Sequence, residues 1–236
     1  MNKLFGFARH GLQLGWHSRL GMRRPDMLLN SIPKAGTHLA VSYLRAAGLA
    51  YNGYHRTIRS EGIVLRDGPG RCFAVAHAFE GDLPPGGNRW LLYRDPVDVA
   101  ISMSAYIMAR PDHWWHATFR DLGLRDTVLT IVRGSEDLES LGERYARFAA
   151  WARRNGATTI AFQAMRDDPA AFVQRCTGGT WPVDGAALQR GAQRWNPTKR
   201  TRSLPLEAET KAEIRQLIET TERQLHDAYQ ELQSLH

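Results

Sequence analysis

The stretch NSIPKAGTHLAVSYL, Asn30 to Leu44, follows the apolar residues Met27, Leu28 and Leu29 and decides the fold. A short apolar run ending at Ile32 leads into a turn containing Gly36, and a helical pattern begins at once. Strand, turn and helix in that order make an anion seat, because first-turn amides lack intrahelical acceptors and the helix dipole favours negative charge there. A Walker A loop, G-x-x-x-x-G-K-[ST], carries its lysine after the last glycine. Here Lys34 precedes Gly36 and no glycine opens the loop. Gly36 lets the backbone approach a phosphate closely and Thr37 offers a hydroxyl, while Lys34 supplies a mobile charge from the entry side.

Strand-like and helix-like segments alternate along the chain, which predicts a parallel sheet covered by helices. Met27–Ile32, Cys72–Ala76, Trp90–Tyr93 and Thr158–Phe162 read as short buried strands. Helices are expected over Leu39–Ala47, Pro96–Met108, Leu138–Asn155, Asp168–Cys176 and Leu206–Leu235. The third has Leu138, Leu141, Tyr145, Phe148 and Ala152 at steps of three and four, with Gly156 placed to end it. Residues from about 110 to 135 read as an excursion over the active face. No repeat or low-complexity linker divides the 236 residues, so one domain is expected, with residues 1–25 as a basic and apolar extension.

A net charge of +7 favours an anionic partner. The basic residues form no single long run, so no nucleic-acid partner is expected. Cys72 and Cys176 fit no metal spacing and read as reduced thiols. No apolar run approaches the roughly 18 residues that span a bilayer. The N-terminal segment, with Phe5, Phe7, Trp16, Arg9, Arg19 and Arg23, lacks a signal peptide's continuous apolar core. It is expected to pack on the domain, with peripheral membrane contact as the alternative. A cytoplasmic enzyme is the expectation.

Two further stretches carry chemistry. In LLYRDPVDVAISMSAY, Arg94 stands just outside the carboxyl end of a strand, where open α/β sheets bind ligands. Asp95, Pro96 and Asp98 serve the following helix as cap, first residue and first-turn acid. Ser102 lies just over two helical turns beyond Arg94. In FAVAHAFEGDLPP, His77 directly follows a strand and shares that edge with Lys34 and Arg94.

Taken together, these stretches resemble the sulfotransferases that use 3′-phosphoadenosine 5′-phosphosulfate (PAPS). The family's first signature, roughly PKSGTTW, is matched by Pro33-Lys34-Ala35-Gly36-Thr37-His38-Leu39, and its R-x-P-x-D-x-x-x-S segment by Arg94, Pro96, Asp98 and Ser102. Its strand-ending Thr-His with a proline-containing loop is similar to AHAFEGDLPP. The match covers about Met27 to Met108. Histidine replaces a threonine at 38 and leucine a tryptophan at 39, and Phe162-Gln163-Ala164-Met165 stands where the family has Tyr-Glu-Asp-Leu. Phe162 could line the adenine side, but reads mainly as core. For the family's late Arg-Lys-Gly clamp, QRGAQRW and PTKRTRS are the candidates, with Lys199 and Arg200 preferred.

The resemblance implies a three-layer α/β/α fold with a central parallel sheet, like that of P-loop nucleotide kinases. It implies in-line sulfuryl transfer from PAPS to an acceptor hydroxyl or amine, with PAPS as co-substrate and no metal. His77 would be the general base and Lys34 would stabilise the leaving phosphate. Lys34 to Leu39 would surround the 5′-phosphate, Arg94 and Ser102 the 3′-phosphate, and Lys199 and Arg200 would close over it. The acceptor would be a small molecule, glycan or lipid, and Tyr106, Trp114, Trp115 and Phe119 read equally as its wall or as core. An ATP-dependent P-loop phosphotransferase and a non-catalytic nucleotide-binding protein are the alternatives.

Overall fold

The structure, a computed structural model, describes residues 25–55, 65, 67–68, 70–83, 86–179, 181–195 and 207–235. Lys199, Arg200 and the extension up to residue 24 lie outside the described residues. Five strands, β1 (Met27–Ser31), β2 (Ala50–His55), β3 (Cys72–Ala76), β4 (Asn88–Tyr93) and β5 (Thr158–Ala161), form one sheet in the order β2-β3-β1-β4-β5. Every pairing is parallel. β1 and β3 are buried along their whole length, as expected of strands covered on both faces.

The helices are α1 (Thr37–Ala46), α2 (Pro96–Met108), α3 (His116–Phe119), α4 (Leu124–Arg133) and α5 (Leu141–Asn155), then α6 (Phe162–Asp167), α7 (Pro169–Cys176), α8 (Gly185–Trp195), α9 (Ala208–Thr220) and α10 (Arg223–Ser234). From β1 the chain moves through α1 to one side of the sheet, and from β4 through α2 and α5 to the other. Right-handed crossovers running in opposite directions put their helices on opposite faces, giving three layers. β1, between β3 and β4, is therefore the topological switch point, and the turn after it lies where such sheets bind ligands.

α2 begins at Pro96, as its local chemistry predicts: the Asp95 carboxylate accepts from the Asp98 amide at 3.2 Å. α5 starts at Leu141 rather than Leu138, because Ser140 and Glu143 close a capping box. Gly156 ends it in the left-handed conformation, φ 58° and ψ 38°. The helix expected over Leu206–Leu235 is two helices, broken at Thr221 and Glu222. β2 was not expected; it carries a register shift between Tyr51 and Gly53. No helix among the described residues is long and apolar enough to cross a membrane.

Candidate functional site

The carboxyl ends of the strands bring the chemistry-bearing residues to one edge. After β1 the chain turns through Ile32–Gly36, with the Ala35 amide donating to the Ile32 carbonyl at 3.0 Å. Lys34 and Gly36 both take positive φ, 72° and 97°. Gly36 is required twice over, by that φ and by space: a Cβ there would lie 2.3 Å from Cδ2 of Phe162. At the start of α1 the Leu39 amide donates back to the Gly36 carbonyl at 2.9 Å. Ala35 and Leu39 thus use their amides within the turn, while the helix provides no acceptor for that of Thr37. The Leu39 side chain packs on the core, and His38 is exposed.

Lys34 reaches across to α2, its ammonium 3.2 Å from the centre of the Tyr106 ring. Burial, and secondarily the charge of Arg110, lower its pKa from 10.5 to about 8. Arg110 donates to the Tyr106 hydroxyl at 2.5 Å. Tyr106 also meets His113 edge-on at 5.6 Å, and His113 stacks on Trp114 at 4.6 Å. Trp114 is 76% exposed, whereas Phe119 is 1% exposed and belongs to the core.

His77, immediately beyond β3, is tied to the end of β1. Its Nδ1 lies 2.7 Å from the Ser31 carbonyl oxygen and 2.9 Å from the Ser31 hydroxyl. That hydroxyl is 2.5 Å from Thr37 Oγ1, so a chain of polar contacts runs from His77 into the turn. A carbonyl only accepts, so Nδ1 carries the proton and the neutral ring presents a bare Nε2. Burial lowers the His77 pKa below 6.5; the Ser31 contact opposes this, and His38 and Lys34 add to it. His113 has the opposite polarity: its Nδ1 accepts from the Trp115 amide at 3.2 Å.

Arg94 extends from the end of β4. One Nη lies 3.3 Å from the Asp98 carboxylate, and the guanidinium stands over Phe162, 4.6 Å from the ring centre. Arg94 Nε is buried with no hydrogen-bond partner. Tyr145 of α5 donates to the Arg94 carbonyl at 2.6 Å. Phe162, expected mainly in the core, packs against it and also joins the two halves of the site, lying against Gly36 and Arg94. It does so because β5 ends at Ala161 and Phe162 opens α6. Asp98, Ser102 and Tyr106 follow one another at helical i,i+4 spacing on α2, with Ser102 half-buried between the partners of Arg94 and Lys34. A cavity of about 70 Å³ adjoins Arg94, Asp98 and Phe162. A larger one, about 370 Å³, lies between α4 and α9 and contains none of these edge residues.

No family model matches the chain, and no curated protein is significantly similar to it. Among solved structures, mouse sulfotransferase SULT7A1 complexed with PAP aligns with a TM-score of 0.54 at 15% identity, covering 94% of this chain and 94% of that one. The chain has a sulfotransferase-type fold. A retinol dehydratase in a complex with retinol and PAP aligns at a TM-score of 0.45 and 12% identity, over 87% of this chain and 82% of its own, and that weaker likeness carries no weight.

Within the sulfotransferase-type fold, Lys34, Thr37 and His77 gather around the end of β1, and Arg94 joins them through Phe162. Asn30 and Ser31 were not among the expected site residues, and Phe162 was expected there only second to a place in the core. A small polar residue ending an apolar strand was the signal available for the first two. Among the described residues no group of three or more His, Cys, Asp or Glu side chains could hold a metal ion.

Proposed function

We propose that this chain, as one domain from residue 1 to 236, is a PAPS-dependent sulfotransferase acting on an acceptor hydroxyl or amine. The observation that carries the reading is the pairing at the end of β1: a lysine entering ahead of the glycine turn, beside a histidine whose bare Nε2 is set by the Ser31 carbonyl. PAPS supplies an activated sulfuryl group whose transfer leaves charge on its 5′-phosphate.

The residues suit such a ligand. The 5′-phosphate would sit against the start of α1, at the Thr37 amide and the Thr37 hydroxyl, with Gly36 giving the backbone room. Arg94 has a buried Nε with no partner, the kind of donor that a phosphate oxygen satisfies; Ser102, further along α2, would be its companion at the 3′-phosphate. Lys34 would leave the face of Tyr106 to neutralise developing charge, a contribution of the oxyanion type. His77 would take the acceptor proton at Nε2. His113 is the poorer base, because its Nδ1 is engaged as an acceptor and its other nitrogen then holds the proton. The aromatic group of Tyr106, His113 and Trp114, within residues 110–135 apart from Tyr106, would face the acceptor. Lys199 and Arg200 remain the proposed late clamp.

A thermal-shift series followed by a transfer assay tests the proposal. Adenosine 3′,5′-bisphosphate at about 100 times its Kd, without metal, is expected to add about 2.7 kcal/mol of stability and raise Tm by about 5–10 °C. ATP with Mg²⁺ should do little. Labelled PAPS should then label one member of a panel of hydroxylated and amino acceptors. Stabilisation by ATP with Mg²⁺ alone would move the chain to the phosphotransferases. Bisphosphate binding with no transfer to any acceptor would leave a nucleotide-binding protein.

A further inference from the structure

We propose that Asn30 is a positioning residue that fixes which nitrogen of His77 faces the acceptor, a role resting on His77 being the base of the reaction proposed above. The β1–β3 ladder has its last pair at Asn30 and Ala76. Beyond it the strands part: β1 enters the Lys34 turn, and β3 gives way to the segment that begins at His77. The Asn30 side chain, fully buried, takes the place of the missing ladder. Its Oδ1 accepts from the Ser31 amide at 3.0 Å and from the Ala78 amide at 3.2 Å, and its Nδ2 donates to the Ala78 carbonyl at 2.6 Å.

One planar group therefore holds both partners of the His77 contact. On one side it holds the amide of Ser31, and the carbonyl of that same residue, in the next peptide unit, lies 2.7 Å from Nδ1. On the other it fixes Ala78, the residue immediately after the histidine. An amide suits this, because the three contacts use an acceptor for two N–H groups and a donor on separate atoms of one short planar group. Aspartate would accept from both amides but would turn an acceptor, and a buried charge, toward the Ala78 carbonyl. Alanine would leave two strand ends free to separate.

The consequence extends into the turn. With its proton given to Ser31, Nδ1 leaves the Ser31 hydroxyl free to donate to Thr37 Oγ1, 2.5 Å away. The Thr37 proton can then point out of the turn, toward an anion on the α1 amides. Asn30 thus orients the base and, through Ser31, the hydroxyl beside it.

The test is ¹⁵N-resolved NMR of the His77 ring in the full chain, assigned by difference with His77→Gln, beside steady-state kinetics. In the wild type the neutral ring should carry its proton on Nδ1. Asn30→Ala and Asn30→Asp should shift the ring toward the Nε2–H tautomer. They should also lower kcat by about tenfold or more while KM for PAPS stays within about twofold, since the loss falls on proton transfer. Asn30→Thr, which keeps one acceptor, should give an intermediate tautomer ratio and tests the idea if the harsher variants fail to fold. A wild-type proton on Nε2 overturns the proposal without any variant. So does a folded Asn30→Ala that retains both the Nδ1–H tautomer and kcat. The tautomer is read without turnover, so a chain that transfers nothing from PAPS defeats the functional reading while the placement of His77 is judged separately.

Discussion

Lys34 carries three costs at one position. Its φ of 72° is unusual for a residue with a Cβ, its ammonium is partly desolvated against Tyr106, and Arg110 repels it. Such concentration of strain suits a functional residue rather than a structural one. Replacing it with methionine removes the last two costs, so Lys34→Met should raise Tm by about 1–3 °C while cutting sulfuryl transfer by about 10²–10³-fold. In the proposed reaction the same residue and His77 set the pH response. His77 must be neutral to act as base, and its pKa is lowered from 6.5, so kcat/KM should rise through a limb below that value. Lys34 must be protonated, so kcat/KM should fall again as pH passes about 8 in the free enzyme. In Lys34→Met the alkaline limb should vanish from the residual activity, and the acid limb should move slightly upward because a neighbouring positive charge is gone. A variant profile identical in shape to the wild type would separate Lys34 from the alkaline limb.

The β1–turn–α1 unit owes its shape to Gly36 and Phe162 together. Alanine at 36 meets the Phe162 ring at 2.3 Å in a backbone region that costs an L-residue about 1–2 kcal/mol. Gly36→Ala should therefore destabilise by more than that backbone cost. The Phe162→Ala background should relieve the clash but not the φ penalty, giving a coupling energy of about 0.5–3 kcal/mol in a double-mutant cycle by urea unfolding. Simple additivity would show that the ring moves aside freely. Elements with complete local chemistry were legible in the sequence: α2 has its cap and proline, and its observed bounds, Pro96–Met108, are the expected ones. β2 was not legible, because Asn52-Gly53 resembles a turn and the strand accommodates the pair through a bulge. The apolar stripe of Leu206–Leu235 continues across the break at Thr221 and Glu222, so periodicity alone could not divide it. At the site, Lys34, Arg94 and His77 stood out by charge and by their place after strands. The Asn30 contacts with Ala78 were hidden because they join residues 48 positions apart.

At the scale of the whole molecule, the C-terminal helix supports the Arg94 edge of the sheet through aromatic residues. α10 packs along α5, burying Leu225, Ala228 and Leu232. Its Tyr229 meets Tyr93 at 5.9 Å and Tyr145 at 6.4 Å, and Tyr145 in turn donates to the Arg94 carbonyl. The end of α10 is also tied to the edge strand, since Thr159 of β5 donates its hydroxyl to the Leu232 carbonyl at 2.8 Å and its amide to the Leu235 carbonyl at 3.0 Å. The core from β1 to α10 is one continuous cluster, so damage at α10 should be felt by the entire fold. Leu232 is fully buried, and Leu232→Ala should lower the unfolding free energy by about 2–5 kcal/mol, the range for a leucine-sized cavity. Fluorescence and circular dichroism should still report one coincident transition, shifted to lower urea. Bisphosphate affinity below the transition should remain near the wild-type value, because Tyr145 of α5 keeps its bond to the Arg94 carbonyl. Two separated transitions would mean that α9 and α10 unfold apart from the sheet. An affinity loss matching the stability loss would mean that Arg94 is held by the C-terminal helix rather than by α5.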